Sequence, residues 1–130
     1  MTDYFGKDRF AAHLGLELDQ ASESYARVSM PLADCHRNGF GTVHGGAIFA
    51  LADTAFAQAC NGGEQLGVAL NVDISFVRPG LSGTLIAEAR EVTRNRRIGI
   101  YEVRVCDEEG ELLALFKGTA FFKDQPKASR

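Results

Sequence analysis

From Gly45 to Cys60 the chain reads GGAIFALADTAFAQAC, sixteen residues with a single charged side chain, Asp53. Apolar residues recur on nearly every side at helical spacing. This predicts a long helix from about His44 to Cys60 that is covered on most of its surface. Asn61, Gly62 and Gly63 are expected to stop it, because asparagine and glycine tolerate the left-handed geometry of a helix end. Beyond them the period changes to two: Val68, Leu70, Val72, Ile74 and Phe76 alternate with Ala69, Asn71, Asp73 and Ser75, the pattern of a strand over Leu66 to Val77. Arg78-Pro79-Gly80 breaks it. Further strands are predicted over Thr84 to Thr93, Ile98 to Cys106 and Glu111 to Phe122, with turns at Asn95 and at Glu109-Gly110.

Ahead of the helix, Tyr4, Phe5, Phe10, Ala11 and Leu14 are spaced for a short amphipathic helix that Gly15 ends. Leu16 to Leu32 reads as two short strands around a polar turn near Ala21 to Glu23. Ala33 to Val43, with its Asn-Gly pair, reads as a loop. One buried helix followed by antiparallel strands implies an α+β fold in which a sheet curls around the helix. A single sheet covers one side of such a helix well, so a second copy of the chain is expected to complete the packing. Residues 1–130 are expected to form one domain, with 123–130 as a frayed polar tail.

Composition narrows the function. The 130 residues carry a formal charge of −3, with 45% hydrophobic and 24% charged residues. That is the balance of a folded globule, and it makes nucleic acid an unsuitable general partner. Cys35, Cys60 and Cys106 are odd in number and far apart. They suggest neither a disulfide framework nor a zinc site and fit a reducing cytoplasm. No segment reaches the ~18–20 apolar residues of a membrane span, and MTDYFGKDRF has no signal-type apolar core. The expectation is a cytoplasmic protein with no metal and no membrane partner.

The candidate chemistry sits on the apolar helix. Its first N–H groups have no internal partners and carry partial positive charge. They belong to Gly45, Gly46 and Ala47, and two of these positions have no side chain. A carbonyl oxygen gaining charge can approach such a backbone, as in an oxyanion hole; a glycine pair also serves tight helix–strand packing. Asp53 either marks the helix's wet edge, pairs with an arginine, or is catalytic, since an unpaired buried carboxylate is costly. Gly45 and Asp53 lie eight residues apart, about 12 Å along one helix axis. Catalytic groups must meet within ~3 Å of the reacting atom. If both act in one reaction, they come from two antiparallel helices across a two-fold axis, giving two equivalent sites per dimer. His44, just before the helix, is more often a hydrogen bonder than a base. Asn38 can position water or a carbonyl, or simply form a turn. Arg94, Arg96 and Arg97 cluster in one turn that could hold phosphates. No GxSxG, GxGxxG or P-loop pattern occurs.

Taken together, Asn38-Gly39, His44-Gly45-Gly46 and Phe49-Ala50-Leu51-Ala52-Asp53 resemble the signature of hotdog-fold acyl-CoA thioesterases, in particular the phenylacetic acid degradation branch. Asn71-Val72-Asp73 and Phe76-Val77-Arg78-Pro79-Gly80 are similar to that branch as well. The resemblance spans roughly Phe10 to Phe122. It implies a long central helix wrapped by a five- or six-stranded antiparallel sheet, dimers with a continuous sheet, and tetramers of two dimers. It further implies hydrolysis of an acyl-CoA thioester, with CoA as part of the substrate and no cofactor. Asp53 would be general base or nucleophile, the Gly45 N–H would polarise the thioester carbonyl, and Asn38 would place substrate or water. His44 and Gly46 would border the substrate, with Phe49 and Phe56 building the apolar pocket and Asn71 within reach of a water. Arg78 and the arginine turn would seat the CoA phosphates. Aspartate at position 53, where other branches use glutamate, tilts the acyl group toward an arylacetic or hydroxyarylacetic one.

Two rivals remain. A hotdog-fold enoyl-thioester hydratase or dehydratase would pair a catalytic histidine with an acid, whereas His44 adjoins the oxyanion glycines. A non-catalytic acyl-CoA-binding module would reuse the pocket without turnover.

Overall fold

A computed structural model describes residues 2–126. Two short helices, α1 (Thr2–Lys7) and α2 (Arg9–Leu14), precede the strands β1 (Glu17–Ala21) and β2 (Tyr25–Pro31). A 3-10 turn (Asp34–His36) leads to the long helix α3 (Gly45–Cys60). It is followed by β3 (Gln65–Phe76), β4 (Thr84–Arg94), β5 (Ile98–Cys106) and β6 (Leu112–Pro126). The six strands form one antiparallel sheet in the order β1-β2-β4-β5-β6-β3, and α3 packs on five of them.

The period-two residues supply the face beneath α3. Ala26, Val28 and Met30 of β2, Leu85, Ala87 and Ala89 of β4, Tyr101, Val103 and Val105 of β5, and Ala114, Phe116, Ala120 and Phe122 of β6 are all buried. Small residues let the helix come close. A Cβ at Gly118 would lie 2.7 Å from the ring of Phe56, so the helix's large aromatic rests directly on the β6 backbone.

Three expectations are corrected. The amino-terminal helix is two helices, because Asp8 leaves helical geometry and caps α2 by accepting the Ala11 N–H at 2.9 Å. The helix end at Asn61 is not left-handed (φ −107°). Its carboxamide instead clasps the start of β3, donating to the Gly67 carbonyl and accepting from the Gly67 N–H, both at 3.0 Å. Gly62 is required there because a Cβ would collide with the Ser22 carbonyl oxygen of the β1–β2 turn. Finally, residues 123–126 are not a frayed tail but the end of β6. Gln65 pairs with Pro126, and Asp124 accepts from Arg97 at 2.9 Å. Residues 127–130, the rest of that expected tail, lie outside the described residues.

Candidate active site

The start of α3 is built by its neighbours in the chain. His44 is the cap: its Nδ1 accepts the Gly46 N–H at 2.8 Å, and its carbonyl accepts from Ala47 (2.9 Å) and Ile48 (3.2 Å). Nδ1 therefore holds a lone pair rather than a proton. A Cβ at Gly46 would stand 3.0 Å from that nitrogen, so glycine there protects the cap. Among the helix's first donors, the Gly45 N–H has no hydrogen-bond partner among the described residues. Gly45 lines a pocket of about 310 Å³ together with Val43, Ile48, Phe76, Val77, Arg78 and Pro79. The Phe76 ring lies 3.4 Å from where a Gly45 Cβ would be. A donor left open at a helix amino terminus in an apolar pocket is suited to a developing oxyanion.

Two residues fix the approach to that terminus. Asn38 accepts from the N–H groups of Phe40 (2.9 Å) and Thr42 (3.2 Å) and donates to the Thr42 hydroxyl at 2.9 Å. Its side chain thus folds the 38–42 loop. His36, given no role from sequence, is buried and joins three segments. Its Nδ1 accepts from Ala33 N–H at 3.0 Å and its Nε2 bonds the Leu14 carbonyl at 2.7 Å. Its own carbonyl accepts from the His44 N–H at 2.7 Å. The buried histidine positions the capping one.

Asp53 lies two turns further along, half-buried on the one stripe of α3 that the sheet leaves uncovered, Gly46, Phe49, Asp53 and Ala57. It has no hydrogen bond or ion pair among the described residues. Burial lifts its carboxyl above the ordinary 3.8, and the charge of Asp8 lifts it further. Among the described residues no arginine pairs with it. Phe49, on the same stripe, packs edge-on to Phe116 with centroids 5.6 Å apart.

Other expected site residues lie elsewhere. Phe56 is 1% exposed and wedged between Tyr101, Phe116 and Gly118; it is a core residue and no pocket wall. Arg94, Arg96 and Arg97 stand at the β4–β5 turn near the carboxyl end of α3, not beside Gly45 in the same chain. Arg94 donates to Gln65 at 2.7 Å and covers the Phe122 ring. Arg96 and Arg97 pair with Asp124. Asn71 is exposed on β3, next to an irregularity in register after Ala69. Arg78 reaches the Leu112 carbonyl at 3.2 Å and Glu111 at 3.6 Å. Among the described residues no helix is long and apolar enough to cross a membrane, and no group of three or more metal-ligating side chains gathers.

Known proteins share this fold. Residues 40–114 match the thioesterase superfamily. The acyl-coenzyme A thioesterase PaaI of Escherichia coli (strain K12) is 36% identical over 115 residues, covering 88% of this chain and 82% of the relative. The solved structure of the E. coli PaaI protein from the phenylacetic acid degradation operon superposes with a TM-score of 0.91 at 34% identity. It covers 95% of this chain and 91% of the other. A crystal structure of a Thermus thermophilus protein superposes at 0.82 with 41% identity, covering 88% and 97%. The six-stranded antiparallel sheet across one long helix is their hotdog fold, and the chain belongs to the thioesterase superfamily.

Proposed function

We propose that this thioesterase hydrolyses acyl-CoA as a homodimer whose two sites each take the Gly45 N–H from one chain and the Asp53 carboxylate from the other. One observation carries the reading: an unpartnered helix-start donor in an apolar pocket, and an unpaired, half-buried carboxylate eight residues along the same helix. Separated by about 12 Å on their own axis, they can meet only across a two-fold contact between antiparallel helices. The uncovered stripe on α3 and the open edge of β3 support such a contact. Pairing of two dimers into a tetramer belongs to the same proposal, as does a cytoplasmic setting.

In the reaction, the thioester carbonyl accepts from Gly45 N–H. The Asp53 carboxylate takes a proton from water as the water oxygen bonds to the carbonyl carbon, and the carbonyl oxygen gains charge against the helix start. Collapse breaks the C–S bond, and the thiolate leaves with the proton returned by Asp53. The alternative has Asp53 attack first, giving an anhydride that water then opens. Both balance to a carboxylic acid and CoA thiol. Asn38 and His44 act here as positioning residues.

For the acyl group we favour an arylacetyl or hydroxyarylacetyl unit. Support comes from the phenyl-walled pocket beside Gly45 and from the phenylacetic acid operon of the E. coli relative. A thiol-release screen over phenylacetyl-, hydroxybenzoyl-, medium-chain and long-chain CoA tests this. Asp53→Ala is expected to stay folded and to lose ~100-fold or more in kcat, the order set by removing a general base. Near-normal turnover by that variant would remove Asp53 from the mechanism. Binding without turnover by the wild type would leave the acyl-CoA-binding module.

A further inference from the structure

Phe40 is 93% exposed, yet the loop that carries it is tightly made. Asn38 accepts from the Phe40 and Thr42 N–H groups, and Gly41 takes a positive φ of 88° while donating to the Asn38 carbonyl at 3.1 Å. Arg37 ties the Gly41 and Leu81 carbonyls at 2.9 and 2.8 Å. Arg37 and Val43 close the base by a strand bridge. Val43, at the foot of the loop, is also a wall of the Gly45 pocket and donates to the Gly80 carbonyl at 2.9 Å. A phenyl ring left in water on a well-fixed loop that leads into the Gly45 pocket has apolar surface to bury against something.

We propose that Phe40 is a specificity-determining residue: it crosses to the partner chain, packs on the shallow place left by Ala57 of the uncovered α3 stripe, and forms the far wall of the acyl pocket. The inference rests on the shared-site reading above. If Gly45 of one antiparallel helix meets Asp53 of the other, positions whose numbers sum to about 98 lie opposite each other. Chain preceding Gly45 then runs toward Ala57 and beyond on the partner. Ala57 is half-buried and carries only a methyl group, which leaves room for a ring beside the carboxylate. A bulky aromatic there would contact the end of an aryl or extended acyl group but would not reach an acetyl group.

Two measurements on the intact protein test it. In a Cys35→Ser background, Phe40→Cys combined with Ala57→Cys is expected to form a covalent dimer under mild oxidation, seen on a non-reducing gel, whereas either cysteine alone does not. In parallel, Phe40→Ala is expected to lower the kcat/KM ratio of phenylacetyl-CoA over acetyl-CoA at least tenfold, mostly through KM, with Phe40→Leu recovering much of it. An absent crosslink, or equal losses for both esters, would overturn the proposal. A wild type that hydrolyses no CoA ester would overturn the functional reading itself and the specificity role with it. The crosslink would then still report where Phe40 sits.

Discussion

At Asp53, burial and the neighbouring Asp8 charge favour the protonated carboxyl, so the folded chain binds that proton more tightly than the unfolded one. Below the ordinary 3.8 both states are protonated and Asp53 costs nothing. As pH rises through the lifted folded value, the favourable contribution of the protonated form is lost, and stability falls until the group is fully ionised. Asp53→Asn is therefore expected to raise the melting temperature at pH 7, with the gain fading toward acid and vanishing below about pH 3.8. Thermal denaturation of both proteins across pH measures this. If Asp53 is the base proposed above, the wild type's kcat/KM falls on the acid side at a pH above 3.8, because the base must be ionised to act.

At the scale of elements, α3 and β6 are matched through one missing side chain. Gly118→Ala would drive a methyl group into the Phe56 ring. Overpacking of this kind costs about 1–3 kcal/mol, readable as a lower denaturation midpoint with the dimer retained. How far these elements could be read in advance follows from the range of the forces that make them. The apolar helix and the alternating strands are local patterns, and α3 begins at Gly45 after the expected His44 because His44 is its cap. Asp53 and Gly45 stood out because a lone charge and a glycine pair are conspicuous in an apolar run. His36 did not, since its bond to Leu14 links residues 22 apart in sequence. The ion pairs of the arginine turn were not legible either, because basic side chains in sequence give no sign of Asp124 arriving from another strand. Phe56 is indistinguishable from Phe49 by composition; only the rotation of the helix over Gly118 sends one into the core and the other to the uncovered stripe.

For the whole molecule, polarity divides the surface. On the sheet's outer face Arg90, Glu102, Lys117 and Asp73 stand in cross-strand register, alternating in charge over four strands. Arg27, Glu88 and Arg104 form a second such row. Water suits that face. Exposed apolar side chains include Leu70, Phe76 and Val77 on and after the open edge strand β3, with Phe40 and Leu81 on loops and Phe10 and Val92 on α2 and β4. A long edge strand with apolar side chains and unpaired backbone groups invites a second copy of itself. Leu70→Lys places a charge on that edge and is expected to shift the protein toward monomer in sedimentation equilibrium. Turnover should fall in step with the dimer fraction, because under the shared-site proposal a monomer holds only half of each site.

Site sharing is most directly tested in a heterodimer of one Asp53→Ala chain and one Gly45→Pro chain, isolated through two different affinity tags. Proline at the first position of a helix is well tolerated and removes the N–H, its Cβ resting in van der Waals contact with Phe76 at 3.4 Å, and His44 before it already has the extended backbone (φ −63°, ψ 134°) that a following proline demands. Each homodimer is expected to be inactive. The heterodimer retains one intact Gly45–Asp53 site of two, so about half of the wild-type turnover per dimer is expected. A heterodimer as inactive as its parents would place both groups in the same chain's site and contradict the account.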